Sequence, residues 1–589
     1  MEKKKPIIDT VIDNFIKDNY ENSGKLTVDD AIKFPECESY YYDELKKTVV
    51  NGYPFASDFV DKKGNSYTMN DYMHLDDDVK NSLKLRYHYL PKMHEIYIGT
   101  TGSGKTTGCV EPQIRALVTQ ANKPNLFLTD PKGEIYNHNA EYIKSLGYDV
   151  YVLNFKDIRR TDRWNPIGEI YNNFMEINRY KKVPRTKFEI DDIIFDSKEE
   201  YLMYCEQQIS VIQSEVDSEI KQFVDMIIPV KSKNDVAWEQ GSQTVLEGII
   251  LLMLDLALDE KNTGFTKDMF TINTIFSLYD LLKIRFNDIS SYDEILAHPL
   301  IHGSVKAANK LSTVFANTER TRRNYYGVFE GCTRDWRHGH IFALTTGNTI
   351  NFEKSKNPFA IFVITRDYEK SDFQIAGLFI DFTYRTLIKE AEEKMQANKP
   401  VRATHFMLDE FGNIPKIPNF DNKIATSRSR NIWMHLFLQS YEQLKNVYTS
   451  DCEAEVILSN CNNHIFLGSQ SYSTIKQFVE ECGRTAIDIR NITRDRIPTI
   501  VEKNVIRFSD LDLIEVGSMF VKRIYTPVIY SHFIRSYFLG ETGFFDIFKK
   551  DGLLKVAPIN DVNSQSLKYT YVPKNDRKRF PWDEDEEDY

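Results

Sequence analysis

The 589-residue chain has seven cysteines and no C-x-x-C pair. That argues against a zinc ribbon or a disulfide framework and for a reducing compartment. A long apolar run is also missing. The longest, "GIILLMLDLAL" from Gly248, contains Asp255 and falls short of the ~18–20 apolar residues a membrane span needs. The start, "MEKKKPIIDTVIDNF", has charge but no apolar stretch behind it, so no signal peptide is expected. Positive charge is not in excess. With a net charge of −11, a wholly basic nucleic-acid coat is excluded, and any nucleic-acid contact has to be local. No internal repeat is evident. These absences lead to the expectation of a cytoplasmic chain without a transmembrane segment.

What is present describes a globular protein. Hydrophobic residues make up 41% and charged residues 27%. A single core rarely exceeds ~250–300 residues, so several domains are expected. Residues 1–90, rich in Asp, Tyr and Lys, read as a small helical or mixed segment without a catalytic pattern.

The chemistry starts at Glu95 with "EIYIGTTGSGKTTGCVEPQI". Ile96, Tyr97 and Ile98 read as a buried strand, and a helix follows the glycines. The loop Gly99-Thr100-Thr101-Gly102-Ser103-Gly104-Lys105-Thr106, with Thr107 behind it, fits G-x-x-x-x-G-K-[ST]. Such a loop wraps a polyphosphate in backbone N–H groups, and the helix behind it aims its positive end at the anion. ATP is the expected ligand. Lys105 would reach the β- and γ-phosphates, and Thr106 would hold Mg²⁺.

Strands then alternate with helices, which implies a parallel sheet. "NLFLTDPKGE" reads as a strand ending in a turn. Asp130 is expected to cap the next helix and Pro131 to open it. From about Lys198 to His340 the strand signal gives way to long helical patterns, read as an all-α insertion over 198–340. The nucleotide-binding parts on either side are placed at 91–197 and 341–540. Residues 541–589 form an extension with a solvated acidic tail, Asp583 to Asp588. The expected fold class is α/β.

A second cluster lies in "HFMLDEFGN". Its apolar strand ends in Asp409-Glu410. A carboxylate there can hold Mg²⁺ and its neighbour can activate water, so Asp409 is the metal-side candidate and Glu410 the water-activating one. Beyond it, Gln439 ends the strand "IWMHLFL", where a sheet of this kind presents ligand-sensing groups. Arg428 and Arg430 end a helix-like segment just before that strand. Their residue type leaves local pairing and catalysis equally open. "ERTRRNYYGVFEGCTRDWRHGH" sets Arg320, Arg322, Arg323, Arg334 and Arg337 among aromatics, a pattern suited to single-stranded DNA and equally to a solvated helix face.

Five stretches together resemble the conjugative coupling ATPases of type IV secretion systems, the TraG/TraD type. They are "GTTGSGKTT", "TDPKGEIY", "DRWNPIGEIY", "MLDEFGNIPKIPNF" with the following "SRSRNIWMHLFLQSYEQL", and "NNHIFLGSQSYSTIKQFVEECGRT". The resemblance runs from about Met93 to Leu539. It implies a RecA-like motor with a helical insertion, assembled as a hexamer. Such a motor couples a relaxase-bound DNA strand to a secretion channel by DNA-stimulated ATP hydrolysis. It also implies roles by position: Lys105 and Thr106 in the phosphate loop, Asp409 and Glu410 as the acidic pair, and Gln439 as sensor. Arg428 matches the residue that reaches a neighbouring subunit's nucleotide. Asp130, Lys132 and Glu134 match a supporting second-strand motif. Members usually carry transmembrane helices ahead of the motor, and none is expected here, which leaves docking on a separate membrane subunit or a soluble branch of the family. A nucleotide-gated receptor with little motor activity, and a helicase or translocase outside conjugation, are the alternative readings.

Overall fold

The computed structural model describes residues 39–41 and 53–541, except 91, 185–186, 231–235, 286–291, 299, 302, 367–368, 450–451, 489–499 and 525–527. The acidic tail, the rest of 542–589 and most of the first 52 residues lie outside the described residues. The described chain forms two compact units. One comprises residues 39–152, 352–366 and 383–541, and the other 153–351 and 369–382.

The first unit is built on two sheets. The smaller is antiparallel, with strands β1 (Ser39–Tyr41), β2 (Tyr53–Val60), β3 (Ser66–Tyr67) and β4 (Lys84–Leu90) in the order β1-β4-β2-β3. Within it Arg86 Nε donates to the buried carboxylate of Asp58 at 2.9 Å, so that charge is paired.

The larger sheet has nine strands. They are β5 (His94–Gly99), β6 (Asn125–Thr129), β7 (Asp149–Asn154), β10 (Phe359–Ile364), β11 (Thr404–Leu408), β12 (Ile432–Leu438), β13 (Cys461–Gly468), β16 (Ser518–Arg523) and β17 (Ile529–His532). Two further antiparallel pairs supply the remaining strands of the described residues, β8 (Glu189–Ile190) with β9 (Ile193–Ile194), and β14 (Arg484–Asp488) with β15 (Ile500–Asn504). The large sheet runs β17-β16-β13-β5-β12-β11-β6-β10-β7. The pairs from β13 through β5, β12, β11 and β6 to β10 are all parallel, and β16 and β17 close one edge antiparallel.

Strands β5, β6, β10, β11 and β12 are buried at every residue. A parallel strand covered by helices on both faces has no solvent side, which is why "FAIFVI" and "LFL" read as continuous apolar runs. A polar row nevertheless crosses them. The register sets His435 beside Glu95, with Nδ1 2.8 Å from Oε2, and His405 Nδ1 lies 3.0 Å from His435 Nε2. Asn463 Nδ2 donates to the other oxygen of Glu95 at 3.2 Å. Because the central strands are parallel, the loops after β5, β6, β11 and β12 leave from one edge of the sheet.

The second unit is mainly helical. Its longest helices are Lys198–Ile227 and Val236–Leu258. Val236–Leu258 is long and apolar enough to cross a membrane by length and composition, yet 67% of its most apolar window is buried. It packs on the helices Val305–Phe315 and Glu319–Thr333. Ser242 Oγ donates to Tyr325 O at 2.7 Å, and a Cβ on Gly248 would come within 2.8 Å of the Leu311 side chain. This unit takes in residues from Leu153 onward, including the helix Gly168–Met175, whereas the loss of strand signal pointed to a start near Lys198. The stretch "RWNP" belongs to it. Trp164 packs its ring 4.8 Å from Phe379, and Asn165 Nδ2 donates to Phe270 O at 2.7 Å.

Candidate active site

Strand β5 delivers the chain to the sheet edge at Gly99. The backbone then turns through Gly102 at φ +86° and Gly104 at φ +100°, a region that L side chains rarely occupy. Thr100 N–H donates to Gly468 O on the neighbouring β13 at 3.0 Å, which pins the loop to the sheet. A single π-helical turn, Lys105–Val110, leads into the helix Glu111–Val118. The loop is thus a ring of backbone around a helix start, where an anion meets N–H groups and a positive dipole end.

Lys105 is 8% exposed. Its Nζ donates to Gly99 O and, at 3.3 Å, to Thr100 O, so the ammonium folds back onto its own loop. Burial lowers its pKa, and the Asp409 and Glu410 carboxylates oppose that shift.

Strand β11 brings the acidic pair to the same edge. Thr106 Oγ1 donates to Asp409 Oδ2 at 3.1 Å, while Thr129 Oγ1 holds the Asp409 carbonyl at 2.8 Å. Burial raises the Asp409 pKa, Lys105 pulls it down, and Glu410 adds to the rise. A hydroxyl and a carboxylate converging at this distance are hard oxygen donors, which suits Mg²⁺. Among the described residues no group of three or more His, Cys, Asp or Glu is placed to hold a metal ion. Glu410 sits at φ +52°, an uncommon conformation for a side chain with a Cβ. Asn413 Nδ2 donates to its Oε2 at 2.8 Å and holds the carboxylate.

The turn after β6 supplies the third wall. Asp130, 2% exposed, accepts from Gly133 N–H and Tyr136 N–H, both at 2.8 Å. The helix starts at Glu134, not at Pro131. The reason is that Pro131-Lys132-Gly133 form a turn with Gly133 at φ +79°, and Asp130 caps the first helical turn from across it. Burial pushes Asp130 up to about 7.

These pieces line one cleft of about 230 Å³. Its walls include Thr100, Thr101, Gly102, Gly104, Lys105, Thr106 and Thr107, the Asp130–Lys132 turn with Glu134, and the pair Asp409-Glu410. Gly99 and Ser103 stand behind them, so close that a Cβ on Gly99 would lie 2.4 Å from Ser103 Oγ. Gln439 follows β12 at the same edge. It is half-buried, its N–H donates to Gln443 Oε1 at 3.0 Å, and its side chain is not part of the cleft wall. Arg428 and Arg430 form a short 3₁₀ turn at the other end of β12. Arg430 is committed to Glu392 at 2.8 Å, while Arg428 is exposed. Strand β12 has seven residues, so Arg428 lies about 20 Å or more from its own phosphate loop.

Two lining residues were not found from the sequence, Arg535 and Tyr537. They come from the segment after β17, which carries no motif. The basic segment of the helical unit is mostly spoken for. Arg322 is buried and donates to Phe315 O at 2.7 Å. Arg323 pairs with Glu319, and Arg337 with Asp280 at 3.2 Å. Arg320 and Arg334 are exposed.

Residues 57–505 match a sequence model of the family described as type IV secretory system conjugative DNA transfer. The chain belongs to that family. Among solved structures, it is similar to the unbound monoclinic form of the bacterial conjugative coupling protein TrwBdeltaN70. The identity is 14% and the TM-score 0.50, over 84% of this chain and 93% of that one. It is similar as well to the plasmid coupling protein TrwB in complex with ADP and Mg2+, at 13% identity and a TM-score of 0.50, over 83% of this chain and 96% of that one. At such identities the likeness concerns the fold, and it agrees with a RecA-like P-loop NTPase core. No curated protein matches the chain. The conjugative DNA transfer family match ends at residue 505, so Arg535 and Tyr537 lie beyond it.

Proposed function

We propose that this protein is the ATP-hydrolysing coupling motor of a conjugative type IV secretion system. On this reading it receives a relaxase-bound DNA strand, docks on a membrane or channel subunit, and moves single-stranded DNA. The observation that carries the reading is the convergence of Lys105, Thr106 and Asp409 in one cleft, with Thr106 Oγ1 3.1 Å from Asp409 Oδ2 and Glu410 alongside.

The residues have separable tasks. The loop N–H groups and Lys105 bind the polyphosphate, with Lys105 turning from the Gly99 carbonyl to the ligand. Thr106 and Asp409 would hold Mg²⁺, which would supply positive charge to the phosphate chain. Glu410 takes the proton of the attacking water, and Asn413 keeps its carboxylate aimed. Gln439, one strand away, senses the ligand through the turn it shares with Gln443. Arg428, out of reach of its own cleft, supplies positive charge to the cleft of the next subunit, which makes the working unit an oligomer and, by family pattern, a hexamer. The solved TrwB complex with ADP and Mg2+ supports the choice of ligand.

The test is the rate of ATP turnover with Mg²⁺, with and without single-stranded DNA, for the native protein and Lys105→Ala. Turnover that rises with DNA and vanishes in a folded Lys105→Ala protein is expected. DNA-independent turnover at the native rate in Lys105→Ala overturns the reading. Nucleotide binding with negligible turnover would favour the receptor alternative, and strand separation on a forked duplex the helicase.

A further inference from the structure

The segment from Phe533 to Tyr537 lies against the phosphate loop and has no role so far. Phe533 packs on the loop's glycines. A Cβ on Gly104 would sit 3.0 Å from its ring, and one on Gly108 only 2.0 Å, so the ring occupies the space a side chain would need. The next residue, Ile534, is 1% exposed and shares a core with Phe59, Leu83, Leu85, Ala116 and Leu539. Its N–H donates to Ser57 Oγ at 3.0 Å. Residue 535 is therefore presented from a fixed support.

Arg535 then reaches into the cleft. Its Nη2 donates to Gly102 O at 3.2 Å, at the apex of the phosphate loop. Its Nε is buried and has no hydrogen-bond partner. A guanidinium N–H shut away from water without an acceptor is unfavourable, the more so on a charged group, and its planar fork matches phosphate oxygens. Ser536 fixes the position from behind. Its Oγ donates to Glu111, a 1% exposed residue of the helix that starts at the phosphate loop, and the other Glu111 oxygen is 2.6 Å from His138 Nδ1.

We propose that Arg535 is a phosphate-contacting residue of the nucleotide site, supplied by the same subunit and latched to the phosphate-loop helix through Ser536 and Glu111. The inference rests on reading the loop as a nucleotide site. It gives each cleft two arginines of different origin, Arg535 from within and Arg428 from a neighbour. Arg535 sets ground-state affinity for the phosphate chain, so it acts in a single subunit.

The test is displacement of a fluorescent ADP analogue by inorganic tripolyphosphate at fixed Mg²⁺, with thermal melting of each variant. Arg535→Ala removes the side chain. Arg535→Gln keeps a donor for Gly102 O but removes the charge, which separates a loop pin from a phosphate contact. Both should weaken tripolyphosphate binding about tenfold or more, as expected for one charge-assisted hydrogen bond, with little change in melting temperature. Ser536→Ala should give a smaller loss of the same kind. Native affinity in Arg535→Gln overturns the proposal, whatever Arg535→Ala does. Lys105→Ala, run in parallel, tells the two failures apart. If Lys105→Ala loses tripolyphosphate while Arg535→Gln keeps it, only the role of Arg535 falls. If both bind as the native protein does, the nucleotide-site reading falls with it.

Discussion

Thr106 and Asp409, 303 positions apart in the chain, meet hydroxyl to carboxylate at 3.1 Å on the edge of the central sheet. The contact follows from topology. Parallel β5, β12 and β11 lie side by side, so the loops that follow β5 and β11 emerge together. The Thr106 hydroxyl donates its hydrogen to the carboxylate, which leaves its oxygen lone pairs for a cation.

The first prediction concerns that cation and pH. Burial raises the Asp409 pKa above the usual 3.8. A folded-state value above the unfolded one means the folded empty protein favours the proton, and this contribution to stability is lost as pH rises through the folded value. On the proposed function Mg²⁺ needs the Asp409 carboxylate, so proton and metal would compete. Mg²⁺-dependent nucleotide binding should weaken as pH falls, and at a higher pH than a free aspartate would allow. Titration of Mg²⁺ against a fluorescent nucleotide across a pH series measures it. Asp409→Asn should weaken Mg²⁺-dependent binding and flatten the profile. A native profile as flat as that of Asp409→Asn contradicts the assignment.

Glu410 makes two claims that one pair of variants separates. Glu410→Gln should bind ATP but hydrolyse it ~10²–10⁴-fold more slowly, since an amide cannot take the proton. Glu410→Gly should lose turnover as well but gain about 1 kcal/mol of stability, because φ +52° costs nothing for glycine. Thermal or urea unfolding shows the difference. If Glu410→Gly melts no higher than Glu410→Gln, the backbone stores no strain there.

On the helical unit, Arg320 and Arg334 are exposed, as is Arg323, which pairs with Glu319, while Arg322 is buried and Arg337 pairs with Asp280. Reversing both to Glu should weaken binding of single-stranded DNA severalfold at low salt, with the gap narrowing as salt rises. Fluorescence anisotropy with a labelled oligonucleotide at two ionic strengths is the measurement. Unchanged affinity at low salt would move the DNA contact elsewhere.

Much of this was legible from residues alone. "GTTGSGKTT", "TDPKGE" and "MLDEFGN" announce their strands because fully buried parallel strands read as unbroken apolar runs, and the loops after them carry their own turn chemistry. Contacts between distant segments were not legible. Nothing in "FIRSYF" marks Arg535 as a neighbour of Gly102, 433 positions away. The pairing of Arg430 with Glu392 depends on packing that spacing cannot report. Likewise His405, His435 and Glu95 look like isolated polar residues in apolar strands until the register aligns them. The helical unit's early start escaped notice because Trp164 and Asn165 sit in an irregular stretch whose partners, Phe379 and Phe270, are more than a hundred residues away.

On the proposed function, a neighbouring subunit completes the motor's catalytic site. Arg428 is exposed at the far end of β12, and its own cleft is out of reach. The most direct measurement is ATP turnover of Arg428→Ala and Lys105→Ala proteins, each alone and mixed in varying ratio, over concentrations spanning monomer and oligomer. Each variant alone should be nearly inactive, while Arg428→Ala still binds nucleotide. The mixture should recover part of the native rate, because some interfaces then pair an intact Arg428 with an intact Lys105, and recovery should grow with concentration or added DNA. Turnover per subunit that stays flat across concentration, with no recovery on mixing, contradicts the shared site.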